Sequence, residues 1–116
     1  VQLPGECAPP AGAVLLALAE TQVAGCVLLA PADDGIAEVR RLYVRPALRG
    51  QGIGYALMQA AMEHARKPGH HTVRLETLAA MHEAVALYRR LGFNEVAPWH
   101  PPHTDHDRTL FMTLPL

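Results

Sequence analysis

The segment Arg45-Pro46-Ala47-Leu48-Arg49-Gly50-Gln51-Gly52-Ile53-Gly54 sets three glycines at alternate positions after the apolar run Leu42-Tyr43-Val44, at the head of a helical pattern. Backbone N–H groups from Gly50 to Gly54 would point outward from a helix start, where the macrodipole favours an anion. Glycine also lets phosphate oxygens approach without a Cβ in the way. A P-loop needs Lys-Ser/Thr after its last glycine, but Tyr55 and Ala56 follow Gly54. A dinucleotide fingerprint needs a glycine at 55 or 57, where Tyr55 and Leu57 stand. What remains is Arg49-x-x-Gly52-x-Gly54. On these residues alone, a phosphate cradle and a plain strand-to-helix turn are equal readings. A second cluster, His100, His103 and His106, is spaced H-x-x-H-x-x-H with Asp105 and Asp107 between. Imidazole is a common metal ligand, yet no helix or tight knuckle converges these three rings and Pro101-Pro102 stiffen the loop. The spacing favours a substrate-side loop, and no metal site is assigned.

The elements that must carry these residues follow from periodicity and punctuation. Ala13 to Ala19 and Val23 to Ala30 are apolar runs of strand length joined by Glu20-Thr21-Gln22, the pattern of a hairpin. Pro31-Ala32-Asp33-Asp34-Gly35 is a turn, and Ile36 to Val44 a third antiparallel strand. Glu38, Arg40 and Arg41 interrupt its alternation, which predicts a bulge or a site. From Gly52 to Lys67, Ile53, Ala56, Leu57, Ala60, Ala61 and His64 recur at helical spacing, and Pro68-Gly69 ends the run. Thr72 to Thr77 alternates as a strand. Met81 to Leu91 returns to helical spacing, with Arg89 and Arg90 in its last turn and Gly92 as the cap. Asn94 to Trp99 and Thr109 to Leu114 are weaker strands. This order implies a parallel strand-helix-strand crossover inside a mixed sheet.

Length makes 1–116 a single domain, and a chain half apolar and 18% charged is globular in composition. A net charge of −1 argues against nucleic-acid binding, which needs a basic face. Cys7 and Cys26 form no disulfide framework and no C-x-x-C, which favours a reducing cytoplasm. No apolar run approaches the ~20 residues of a membrane span, and the start lacks the charged region of a signal peptide. Neither a membrane nor a nucleic acid is expected as a partner; a homodimer stays open. The chain begins with Val1 in a Pro/Gly-rich stretch, so an N-terminal portion is expected outside it.

The stretch "RLYVRPALRGQGIGYALMQAAMEHAR" followed by "LYRRLGF" resembles the GCN5-related N-acetyltransferase (GNAT) superfamily, from about Ala13 to the end. The two motifs are independent signals. The resemblance implies an α/β (α+β) fold, a mixed and mostly antiparallel sheet with helices on both faces. It also implies an acyltransferase that moves the acetyl group of acetyl-CoA, as co-substrate, to a primary amine by direct attack in a ternary complex. A non-catalytic CoA-binding or protein-interaction module of the same fold is the alternative. A double-displacement route is disfavoured, with Cys7 in the opening segment and Cys26 expected to be buried in the hairpin. The family carries a strand and two helices ahead of the first hairpin that this sequence lacks, and those help to build the acceptor cleft.

By the same resemblance, Arg49, Gly50, Gln51, Gly52, Ile53, Gly54 and Tyr55 bind the pyrophosphate of the cofactor, and Leu42, Tyr43 and Val44 hold the pantetheine arm along their backbone. A bulge would splay the third strand from the Thr72–Thr77 strand and open a slot, with the Leu42 N–H as oxyanion donor to the thioester. Glu38 matches the place of a general-base glutamate in some members; otherwise it pairs with Arg40 or Arg74. Glu76 is the second candidate base. Tyr88 stands where a tyrosine lies near the sulfur and could protonate the leaving thiolate; otherwise it is a half-buried aromatic. Met81 replaces a frequent asparagine, so a polar contact to the pantetheine is expected to give way to apolar packing.

Overall fold

A computed structural model describes residues 13–19, 22–101 and 108–116. Among the described residues six strands form one sheet in the order β1-β2-β3-β4-β6-β5. The strands are β1 (Ala13–Ala19), β2 (Gln22–Pro31), β3 (Ile36–Val44), β4 (Thr72–Leu78), β5 (Asn94–Val96) and β6 (Thr109–Pro115), with helices α1 (Ile53–Arg66) and α2 (His82–Leu91). Only β3 and β4 run parallel; every other pairing is antiparallel. The expected mixed, mostly antiparallel sheet flanked by helices is therefore present. The fifth strand stops at Val96 rather than Trp99, because Pro98 has no N–H to give the ladder.

The placement of the helices refines the expectation. Both crossovers, β3-α1-β4 and β4-α2-β5, advance in the same direction across the sheet. The right-handed rule then puts α1 and α2 on one face rather than on two. Their apolar residues join one core with Val27, Leu29, Ala37, Val39, Val73, Leu75, Leu110 and Met112. Along α1 the buried residues are Leu57, Met58, Ala61, Met62 and Ala65, about one residue round from the expected stripe. The two methionines bring more volume to the sheet than Ala56 or Ala60, which stay exposed. The opposite face carries the alternate residues, among them Glu38, Arg74, Glu76 and Phe111.

The bulge expected in β3 lies at Arg40. Leu29 pairs with Val39 but Leu28 with Arg41, so Arg40 is the extra residue, and beyond it Leu42 and Val44 return to the core side. The parallel ladder to β4 holds for only three pairs, Ile36↔Thr72, Ala37↔Val73 and Glu38↔Arg74. Past Glu38 the two strands separate, and the β4-side edge of β3 has no ladder partner among the described residues. The core therefore opens between two adjacent strands.

Candidate active site

Glycine geometry shapes the head of α1. Gly50 and Gly52 sit at φ +83° and +82°, a left-handed conformation that costs an L side chain about 1–2 kcal/mol. A Cβ on either would meet nothing within 4 Å, so conformation, not crowding, is what calls for glycine there. Gly52 caps α1 without a side-chain hydrogen bond, and the first turn holds no acidic residue. The Ala56 N–H donates to the Gly52 carbonyl at 3.0 Å, which leaves the N–H groups of Ile53, Gly54 and Tyr55 outside the helical ladder. At Gly54 the constraint is space: a Cβ would lie 3.3 Å from Leu87 of α2.

These donors face a cavity of about 570 Å³ between α1, α2 and the end of β3. Of the residues expected to bind cofactor, it is lined by Leu42, Tyr43 and Val44 of β3, by Arg49, Gly50, Gly52, Ile53, Gly54 and Tyr55 of the turn, and by Met81. Gln51 does not line it, and Tyr88 lies elsewhere. Arg49 also supports the strand end: its Nε donates to the Val44 carbonyl at 2.9 Å and its guanidinium lies 5.9 Å from the Tyr43 ring. Arg90, read from sequence only as a helix-end charge, stands over the Tyr55 ring at 5.2 Å and lines the same cavity. Bare helix donors and an absent Cβ beside this cavity suit a pyrophosphate-bearing ligand.

A second cavity of about 370 Å³ fills the gap between β3 and β4. Leu42 and Met81 are walls of both cavities, so the two lie side by side there. Tyr88 lines the gap, and burial pushes its phenol above the ordinary value of 10.0, which keeps the proton on oxygen. Its position is fixed by the end of α2. Gly92, at φ +103°, donates to the Arg89 carbonyl and Phe93 to the Tyr88 carbonyl, both at 3.0 Å. This is a Schellman ending, and it brings the Phe93 ring edge-on to Tyr88 at 5.9 Å. Met81 is 53% exposed and accepts a long contact of 4.0 Å from the Thr77 hydroxyl.

The two carboxylates expected near the chemistry differ in surroundings. Glu38 lines neither cavity. Arg74 Nε holds one of its oxygens at 2.9 Å and Arg40 Nε the other at 2.7 Å, with Asp33 on the far side of Arg74 at 3.2 Å. Glu76 lines the gap. Its Oε2 lies 2.7 Å from His100 Nε2, and His100 Nδ1 lies 2.7 Å from the Pro101 carbonyl. With an acceptor at each nitrogen, the doubly protonated ring is favoured, and the hydrogen bond to Glu76 chiefly raises the His100 pKa. Phe111 and Trp99 pack edge-on against the ring. His103 and His106 lie outside the described residues. Cys26 is half-buried in β2 and lines neither cavity. Sequence reasoning missed Arg41 as a residue of the gap, although the two arginines that break the β3 alternation were its signal.

The acetyltransferase (GNAT) family matches residues 3–93. An uncharacterised N-acetyltransferase of Schizosaccharomyces pombe is 35% identical over 91% of this chain, which spans 65% of that relative's length. Among solved structures, a Klebsiella pneumoniae protein described as an acyl-CoA N-acyltransferase superposes with a TM-score of 0.80 at 32% identity, over 99% of this chain and 77% of the other. A Bacillus anthracis protein described as a streptothricin acetyltransferase, crystallised in complex with acetyl coenzyme A, shares the fold at a TM-score of 0.79 and 20% identity, over 89% and 61% of the two chains. No described helix is long and apolar enough to cross a membrane.

Proposed function

The chain belongs to the acetyltransferase (GNAT) family, and on that premise we propose that it moves the acetyl group of acetyl-CoA to a primary amine by direct attack. The observation that carries this proposal is the adjacency of the two cavities. The glycine turn of α1 opens onto one, the β3/β4 gap forms the other, and Leu42 and Met81 wall both. Acetyl-CoA supplies an acetyl group activated as a thioester. The N–H groups at the head of α1 would hold its pyrophosphate, with Arg90 beside them, and the unpaired edge of β3 would hold its pantetheine arm. The Leu42 N–H would then face the carbonyl oxygen.

The amine must lose a proton as its nitrogen bonds to the carbonyl carbon, and the departing sulfur must gain one. Tyr88, protonated and lining the gap, suits the second task. For the first, Glu76, which lines the gap, is better placed than Glu38, which lines neither cavity and whose two oxygens are already held by the guanidinium groups of Arg40 and Arg74. Incubating the chain with acetyl-CoA and a panel of amines, with free CoA thiol as the readout, tests the proposal. Amine-dependent release is expected. Tight binding of acetyl-CoA with no release for any amine would support the non-catalytic module instead.

A further inference from the structure

The gap between β3 and β4 has walls of opposite charge. Arg40 and Arg41 line it from β3 and Glu76 from β4, over a floor that includes Val39, Leu75 and Leu78. Arg40 is held by Glu38 at 2.7 Å. Arg41 is exposed and makes no side-chain hydrogen bond or ion pair among the described residues. The β3 bulge creates this arrangement. It inserts Arg40 as an extra residue, so that Arg41 pairs with Leu28 and two consecutive residues both reach the gap. A regular strand would have sent one of them to the core. About 370 Å³ suits a small molecule.

We propose that the acceptor is a small zwitterion of the amino-acid type, its carboxylate bound by Arg41 and its amine directed to Glu76. The proposal deepens the acetyltransfer reading and rests on it. A guanidinium binds a carboxylate through parallel N–H donors. An acceptor gripped on the β3 wall presents its amine toward β4, on the side where Glu76 lies and near the Leu42–Met81 junction. The apolar floor accommodates an aliphatic or aromatic side chain. Polyamines, which bring a second cation against Arg40 and Arg41, are disfavoured by like-charge repulsion.

The test compares free amino acids with their uncharged amides. L-leucine, L-methionine and L-phenylalanine are assayed beside leucinamide, methioninamide and phenylalaninamide at saturating acetyl-CoA, with R41Q run in parallel. At least one amino acid is expected to exceed its amide in kcat/KM by roughly 10- to 100-fold, the worth of one charge-assisted hydrogen bond. R41Q should raise that amino acid's KM by a similar factor and collapse the preference toward one. Equal use of acid and amide, or a preference that survives R41Q, overturns the proposal. Calorimetric titration of the same six compounds into the CoA complex separates this result from a failure of acetyltransfer itself. Binding of an amino acid, weakened by R41Q and absent for its amide, sustains the zwitterion site even without turnover; no binding and no turnover for any of the six refutes it.

Discussion

The two cavities that share Leu42 and Met81 as walls are made of different materials. On the α1 side the working surface is main chain, two left-handed glycines and a helix start with open N–H groups. On the other side it is charged side chains, Arg40, Arg41 and Glu76, two of them tied to a network behind the wall: Arg40 through Glu38 to Arg74, and Glu76 to His100. A main-chain site is fixed by the conformation of a few consecutive residues and is indifferent to most side chains. A side-chain network depends on strands distant in sequence arriving in register, and on charge. The first should fail when a Cβ is added, and the second when a charge is removed or titrated.

The sharpest test of that contrast is Gly52→Val. Valine at φ +82° is strained, and the turn must rearrange, so acetyl-CoA affinity measured by calorimetry should fall by about 100-fold or more while the fold persists. Unchanged affinity would break the comparison at its first half. Next in size is the pair Glu76→Gln and Glu38→Gln. The former should lower turnover by roughly 10² to 10⁴ with little change in cofactor affinity. The latter should chiefly lower stability, by about 1–3 kcal/mol, since it strips Arg74 of a charged partner. If Glu38→Gln costs more turnover and a pH–rate profile loses its basic-group limb, the base is Glu38.

Gly25→Ala probes the main chain from the other direction. A Cβ there would lie 2.5 Å from the Tyr43 carbonyl oxygen and 3.2 Å from Leu57, and the strand under the cavity must shift. A loss of about 1–3 kcal/mol in denaturant unfolding is expected; a neutral effect would mean that β3 gives way freely. The smallest effect concerns His100. Its pKa is raised in the folded chain, so its contribution to stability is fully present below the unfolded value of about 6.5 and is lost as pH rises through the folded value. A thermal midpoint that drifts down over that window, and a flatter profile in His100→Gln, are expected. A drift of the opposite sign would show that the Glu76 contact does not persist in solution.

The same contrast governs what was legible in the sequence. The glycine turn, both helices, the β3 bulge and the Gly92 cap are set by residues within a few positions of one another, and their types and spacing announce them. The network is not local. Arg74 reaches Glu38 across 36 positions and Asp33 across 41, and His100 reaches Glu76 across 24. From sequence, Glu38 had two open readings, a base or an ion-pair partner of Arg40 or Arg74, and the structure has both ion pairs; nothing in the neighbours of Glu38 and Glu76 decided which carboxylate would be so held. The rotation of the buried stripe on α1 was equally hidden, because alanine and methionine compete for the core by volume, which periodicity does not weigh. Sharing of one face by both helices was implicit in the strand order, but only once that order was known.

Only three ladder pairs join β3 to β4 among the described residues, and this gives the sheet a mechanical character. The strands β1, β2 and β3 form one antiparallel leaf; β4, β6 and β5 form another. The leaves are joined edge to edge at Ile36–Glu38 and Thr72–Arg74, near one end of the strands, like tongs held at the hinge. The Glu38–Arg74 ion pair sits on the last rung before they part. A small rotation about that hinge hardly moves the rungs, yet at Leu42 and Thr77 it is magnified by the lever arm of the strands. The width of the passage therefore follows the angle between the two leaves as well as the side chains that line it.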